Sequence, residues 1–146
     1  MTEARPDKPD AGTRVNLGGF YMAEVKFFKC MLCGNVVVKL TDSGNPLSCC
    51  GQKMTELKPG TTDAAQEKHV PVLERDGNRL HVKVGSVAHP MLPEHYIQWI
   101  VVVQGDKVQT VHLAPGEAPA ADFIVEDGPV TAYEYCNLHS LWSAEG

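Results

Sequence analysis

The sequence predicts an all-β protein, a small cysteine-bearing β unit followed by a larger β-sandwich. Three observations predict it. Four of the five cysteines fall between positions 30 and 50. Short runs rich in Val and Ile recur after position 79, punctuated by Gly and Pro. No stretch carries a convincing amphipathic helical period, and no internal repeat is present.

Composition bounds the reading. A chain of 146 residues has room for one ordinary domain, or a small one plus a medium one. A hydrophobic fraction of 43% with 21% charged residues is that of a soluble globular protein. The formal net charge of −5, with no basic stripe, excludes a nucleic-acid binder, because phosphate contacts need a basic field. The longest apolar run, Trp99 to Val103, is far too short to span a bilayer, so no membrane partner is expected. The polar N-terminus lacks the apolar core of a signal peptide, and the chain is read as cytoplasmic. In that compartment a cysteine cluster binds metal or does chemistry more often than it forms disulfides.

Taken in order, residues 1–21 are rich in Pro, Asp, Gly and Thr and are read as a flexible extension. Residues 22–58 form the cysteine-bearing unit, with a strand over Val36–Leu40 and a turn over Thr41–Pro46. So small a unit cannot fold on apolar burial alone, and a metal is the usual remedy. Residues 59–66 are a linker, and residues 67–146 the second domain. There Leu80, Val82 and Val84 alternate with His81 and Lys83 at the strand period of two. Further strands are expected over 95–103, 107–113, 121–125 and 130–135. Strands at this spacing make a sandwich.

The first motif is C30-x-x-C33-G, a gap of fifteen residues, then C49-C50-G. Adjacent cysteines rarely bond each other, because the ring strains ordinary disulfide geometry. Two pairs of thiolates instead close a tetrahedral sulfur site, and spacing leaves zinc and iron both open. The second motif is dispersed. All six histidines and Cys136 lie in the second domain, in E67-K68-H69-V70-P71, H89-P90-M91-L92-P93-E94-H95 and C136-N137-L138-H139. Zinc prefers four ligands; four imidazoles and a thiolate with one open position suit octahedral iron better. His81, opposite the apolar face of its strand, is read as a surface residue, His112 as structural or surface, and the acids of 117–127 as a solvated loop.

The region from Met22 to Trp142 resembles desulfoferrodoxin, the two-domain superoxide reductase family. The first unit resembles desulforedoxin through its cysteine spacing. The second resembles the neelaredoxin-type catalytic domain through EKHVP, HPM-x-x-EHYI-x-W and YCNLH-x-LW. The resemblance implies an immunoglobulin-like sandwich and two irons per chain. One iron, or zinc in its place, is held by Cys30, Cys33, Cys49 and Cys50. The other has His69, His89, His95 and His139 as equatorial ligands and Cys136 as the axial one. It further implies one-electron reduction of superoxide to hydrogen peroxide without oxygen production, Lys68 as the catalytic cation and proton source, and Glu67 as a metal ligand capping the oxidised iron. A small donor such as rubredoxin and a homodimer are implied as partners. Backbone N–H groups beside Cys136, at Asn137 and Leu138, are expected to hydrogen-bond the sulfur. The competing reading is a rubredoxin-like electron-transfer protein with no superoxide turnover. A zinc-stapled module with incidental histidines is a third.

Overall fold

A computed structural model of the chain describes residues 14–17 and 20–146. It divides into two compact units, with the boundary between Glu56 and Leu57.

The first unit opens with an antiparallel pair, β1 (Arg14–Leu17) and β2 (Phe20–Ala23), in which Arg14 stands opposite Ala23. Of the expected extension over 1–21, residues 14–17 and 20–21 lie in these strands; residues 1–13, 18 and 19 lie outside the described residues. Then follow β3 (Lys26–Lys29), β4 (Val36–Lys39), β5 (Ser48–Cys49), β6 (Gln52–Lys53) and β7 (Thr55–Leu57). Three of them form a sheet in the order β4-β3-β7, and β5 pairs with β6. Buried apolar side chains here are few among the described residues: Met22, Val25, Phe27, Cys30 and Met54. The expected turn after β4 is built on Asp42, whose carboxylate accepts the Gly44 N–H at 2.9 Å. The same carboxylate pairs with Lys39 at 2.8 Å and Lys26 at 3.0 Å. These contacts hold its pKa well below the usual carboxylate range, Lys39 most of all.

The second unit begins with one helical turn, α1 (Gln66–His69), that the sequence reading does not contain. Four residues are too short to show a helical period. The strands are β8 (Pro71–Asp76), β9 (Arg79–Val84), β10 (Ile97–Gln104), β11 (Lys107–His112), β12 (Ala120–Ile124), β13 (Thr131–Cys136) and β14 (Ser140–Glu145). They make two antiparallel sheets, β11-β10-β13-β14 and β12-β9-β8. Seven strands in a four-plus-three sandwich agree with the expected class. The core between the sheets holds Leu80, Val82 and Val84 from β9, Ile97, Ile100 and Val102 from β10, and Phe123, Val130 and Ala132.

His81 lies on the outer face of β9, as expected, hydrogen-bonded to Asp122 at 2.8 Å, and His112 is exposed. Asp122 is correspondingly no free loop acid. It sits on β12, and its carboxyl is held below its ordinary pKa by His81 and then Arg79.

Candidate metal centres

In the first unit β3 hands the chain directly to Cys30. The Cys33 N–H points at Cys30 Sγ (3.5 Å), and the Gly34 N–H donates to the Cys30 carbonyl (2.9 Å). Gly34 closes this knuckle at φ +84, where a side chain would be strained. The second pair sits on the β5–β6 hairpin. Its loop residues Cys50 and Gly51 both have positive φ (53° and 71°), the signature of a type I′ turn. That turn brings Cys49 Sγ to 3.9 Å from Cys50 Sγ and 3.6 Å from Cys33 Sγ. All five cysteines are free thiols, and the four sulfurs of this unit lie within 4.8 Å of one another. Around a metal at about 2.3 Å, tetrahedral sulfurs stand about 3.8 Å apart, so the donor set fits. The N–H groups of Cys33 and Leu32 pull the Cys30 thiol down to about 6; hydrogen bonding with Cys33 and Cys30 pushes Cys50 up to about 12.

In the second unit three segments at one end of the sandwich, α1, the β9–β10 connection and the β13–β14 hairpin, supply five donors. Antiparallel pairing puts Pro71 opposite Val84, so α1 with His69 and the segment leading to His89 emerge together. It also puts Ile97 opposite Cys136, so the His95 loop and the β13–β14 hairpin emerge at one end. A register shift between Ile97 and Trp99 marks a bulge beside the site. The Leu92–His95 turn is closed by two reciprocal backbone hydrogen bonds of 2.9 and 3.0 Å. In the β13–β14 hairpin Cys136 pairs with Ser140 across a three-residue loop, and Ser140 takes φ +66. One loop thus delivers both Cys136 and His139, whose Nδ1 lies 3.8 Å from Cys136 Sγ.

The imidazoles meet edge to face in a closed cycle, His69–His89–His95–His139, with ring centroids 4.7 to 5.1 Å apart. The five donor atoms lie within 4.8 Å of one another. His69 Nε2 and His89 Nε2 are 3.2 Å apart, against about 3.0 Å for adjacent nitrogens around a metal at about 2.1 Å. Their Nδ1 atoms are spoken for, each 2.7 Å from a backbone carbonyl, Ala65 O and Pro90 O. Donating there leaves Nε2 with its lone pair free for a metal. Burial lowers the pKa of His69, His89 and His95, His89 to about 4, so these rings are neutral ligands at neutral pH. His95 Nε2 is buried with no hydrogen-bond partner. A native interior rarely leaves such an atom unpaired, and a cation among these donors satisfies it. Burial pushes the Cys136 thiol up, while N–H groups of Leu138 and His139 act against it. The His139 N–H stands 3.4 Å from the sulfur. The expected Asn137 donor is a miss: its N–H goes to Tyr96 O at 3.3 Å.

Several neighbours escape sequence reasoning. The Asn137 side chain accepts the Tyr96 N–H at 2.9 Å and donates to Glu94 O at 3.0 Å, clamping the His95 loop to the hairpin. Trp142 stacks on His69 at 5.0 Å and donates to His139 O at 2.9 Å. Glu134 is fully buried, both carboxylate oxygens unpaired, and burial raises its pKa well above the ordinary value. An acidic residue in a strand gives no hint of burial; only its period-two phase with Cys136 does. Glu67 and Lys68 are exposed on α1. Glu67 stands outside the five converging donors, while the Lys68 charge is felt at both His69 and His95.

Residues 61–145 match the family model described as Desulfoferrodoxin, and residues 23–57 that of the Desulfoferrodoxin N-terminal domain. The desulfoferrodoxin of Syntrophotalea carbinolica is 51% identical over 126 residues, covering 86% of this chain and 100% of that protein. The desulfoferrodoxin homolog of Archaeoglobus fulgidus is 49% identical over 124 residues, 84% of this chain and 99% of that protein. Among solved structures, the superoxide reductase from Treponema pallidum superposes with a TM-score of 0.68 at 39% identity, covering 83% of this chain and 98% of that one. With both family models matched in sequence order across its two units, the chain belongs to the desulfoferrodoxin family.

Proposed function

We propose that this chain is a superoxide reductase, with residues 67–146 as its catalytic domain and residues 22–58 as a desulforedoxin-like iron domain. The observation that carries the reading is the five-donor cluster of His69, His89, His95, His139 and Cys136. Ferrous iron bound there supplies one electron to superoxide, which with two protons becomes hydrogen peroxide, and no oxygen is released.

The protein's own residues do the rest. Four neutral imidazoles and one thiolate leave a bound ferrous ion with net positive charge, which attracts an anion despite the chain's overall −5. Lys68 adds a cation at the mouth and, through water, a proton for the product. Glu67, exposed next to it, would offer a carboxylate to an oxidised iron held by the five donors. The N–H groups of Leu138 and His139 tune the thiolate.

Cys30, Cys33, Cys49 and Cys50 would hold the second iron, or zinc in its place, whose first service would be to staple this small unit. Met31 and Leu32, exposed within its knuckle, offer apolar contact to a small redox donor of the rubredoxin kind. The edge strand β4, with Val37 and Val38 partly exposed, supports a homodimer. Sedimentation of the iron-loaded chain tests that state.

The deciding experiment is stoichiometric. Reduced protein with two irons per chain is mixed with superoxide, and peroxide and oxygen are measured together. One peroxide per superoxide consumed, without oxygen, is the expected result. Oxygen release would mean dismutation, and no superoxide consumption by iron-loaded protein would leave an electron carrier.

A further inference from the structure

The turn between β9 and His89, Gly85-Ser86-Val87-Ala88, lies against the backbone of Glu67 and Lys68. The Val87 N–H donates to Glu67 O at 3.0 Å, and the Ser86 hydroxyl to the same carbonyl at 3.4 Å. The far end of the turn is anchored where the His89 N–H meets Val84 O at 3.3 Å. One backbone turn is therefore tied both to the ligand His89 and to the two residues that precede the ligand His69.

The approach is close enough to exclude a side chain. Gly85 is buried at φ +83. A Cβ there would stand 2.6 Å from Glu67 O, 2.8 Å from Lys68 Cα and 2.3 Å from Val87 O. All three are main-chain or Cα atoms, so no rotamer change relieves the overlap. Gly77 and Gly105, left-handed glycines of the same unit, would meet nothing within 4 Å. Their φ angle alone explains them; Gly85 is needed for contact as well as for φ.

We propose that Gly85 is a positioning residue: by admitting this close approach it lets the 85–88 turn hold the Glu67–Lys68 backbone at the mouth of the five-donor site. The proposal rests on the roles given above to Glu67 and Lys68. Displacing that backbone moves both side chains at once. A glycine needed only for the turn would, on substitution, weaken folding or iron retention without imitating the loss of Glu67.

The test uses the full iron-loaded chain as Gly85→Ala, Glu67→Ala, Lys68→Ala and the double variant Gly85→Ala/Glu67→Ala. Three quantities are read: iron per chain, the thiolate-to-iron absorption band of the oxidised protein, and the rate with superoxide. Gly85→Ala should keep its iron, shift the band in the direction of Glu67→Ala, and react about tenfold more slowly. The double variant should show the band of Glu67→Ala with no further shift. A Gly85→Ala protein with native band and rate, while Glu67→Ala and Lys68→Ala change theirs, overturns the positioning role alone. Native behaviour in Glu67→Ala and Lys68→Ala overturns the roles beneath it. Should Gly85→Ala fail to fold, amide exchange in the unaltered protein decides: Val87 should be protected by at least about tenfold over an unstructured amide, and an unprotected Val87 sinks the clamp.

Discussion

Lys68 and Asp42 show two ways in which single charges serve this chain. Lys68 is exposed, so its field is screened by salt, yet it acts on the buried ring of His69 and the half-buried ring of His95. Lys68→Ala should slow the reaction with superoxide by about tenfold at low ionic strength and flatten its salt dependence. Stopped-flow rates across a salt series check this, and an unchanged slope would remove the steering role. Asp42 is structural. Its folded pKa is depressed, chiefly by Lys39, so its contribution is present above the unfolded value of about 4 and is lost as pH falls further. Asp42→Asn should therefore destabilise the first unit at neutral pH. The gap from the parent protein should close on acidification below about pH 4, as followed by denaturant melts at matched metal content. The spacing alone marks residues 41–46 as a turn; that Lys26 and Lys39 converge on one carboxylate is a fact of the β3–β4 pairing.

At the scale of elements, the ligands are placed by the short helix α1, the β9–β10 connection and the β13–β14 hairpin, and these segments are then stitched together. The β13–β14 loop supplies Cys136 and His139 from four consecutive positions, so this pair was legible from C-N-L-H alone. His69, His89 and His95 were legible only as motifs. Their convergence depends on which strand ends share an edge of the sandwich, and local sequence does not encode that. Asn137 is the stitch between two of these loops, with one side-chain hydrogen bond to each side of His95. Asn137→Ala should leave the sandwich folded, cost about 1 to 3 kcal/mol, and weaken iron binding at the five-donor site by about tenfold. Competition with a chelator, read at the thiolate band, measures the second effect; full iron retention would make Asn137 a bystander.

For the whole molecule, the two units differ in what holds them. The second has an apolar core drawn from both sheets, while the first has few buried apolar side chains among the described residues and a four-sulfur site. Removing metal with a strong chelator under reducing conditions should unfold the first unit and leave the second folded, because only the first draws its stability chiefly from ligation. Amide exchange resolved by residue distinguishes the two. Persistent protection across 26–57 in metal-free protein would show that the first unit stands on its core. No helix among the described residues is long and apolar enough to cross a membrane, in line with the hydropathy of the chain.

By itself the sequence determined the class of each half and offered candidate metal donors. Period-two burial reads directly along β9, and thiols and imidazoles declare their chemistry wherever they lie. It concealed the pairing of β1 with β2 and the four-residue α1, too short to have a period. Only the tertiary structure decided that the four imidazoles close into a cycle over Cys136, that Glu134 is buried, and that Gly85 must lack a side chain. Each of these depends on contacts between segments distant in sequence, such as Glu67 with Val87 or Tyr96 with Asn137. Such contacts follow from strand pairing and sheet packing, which no local pattern of residues specifies.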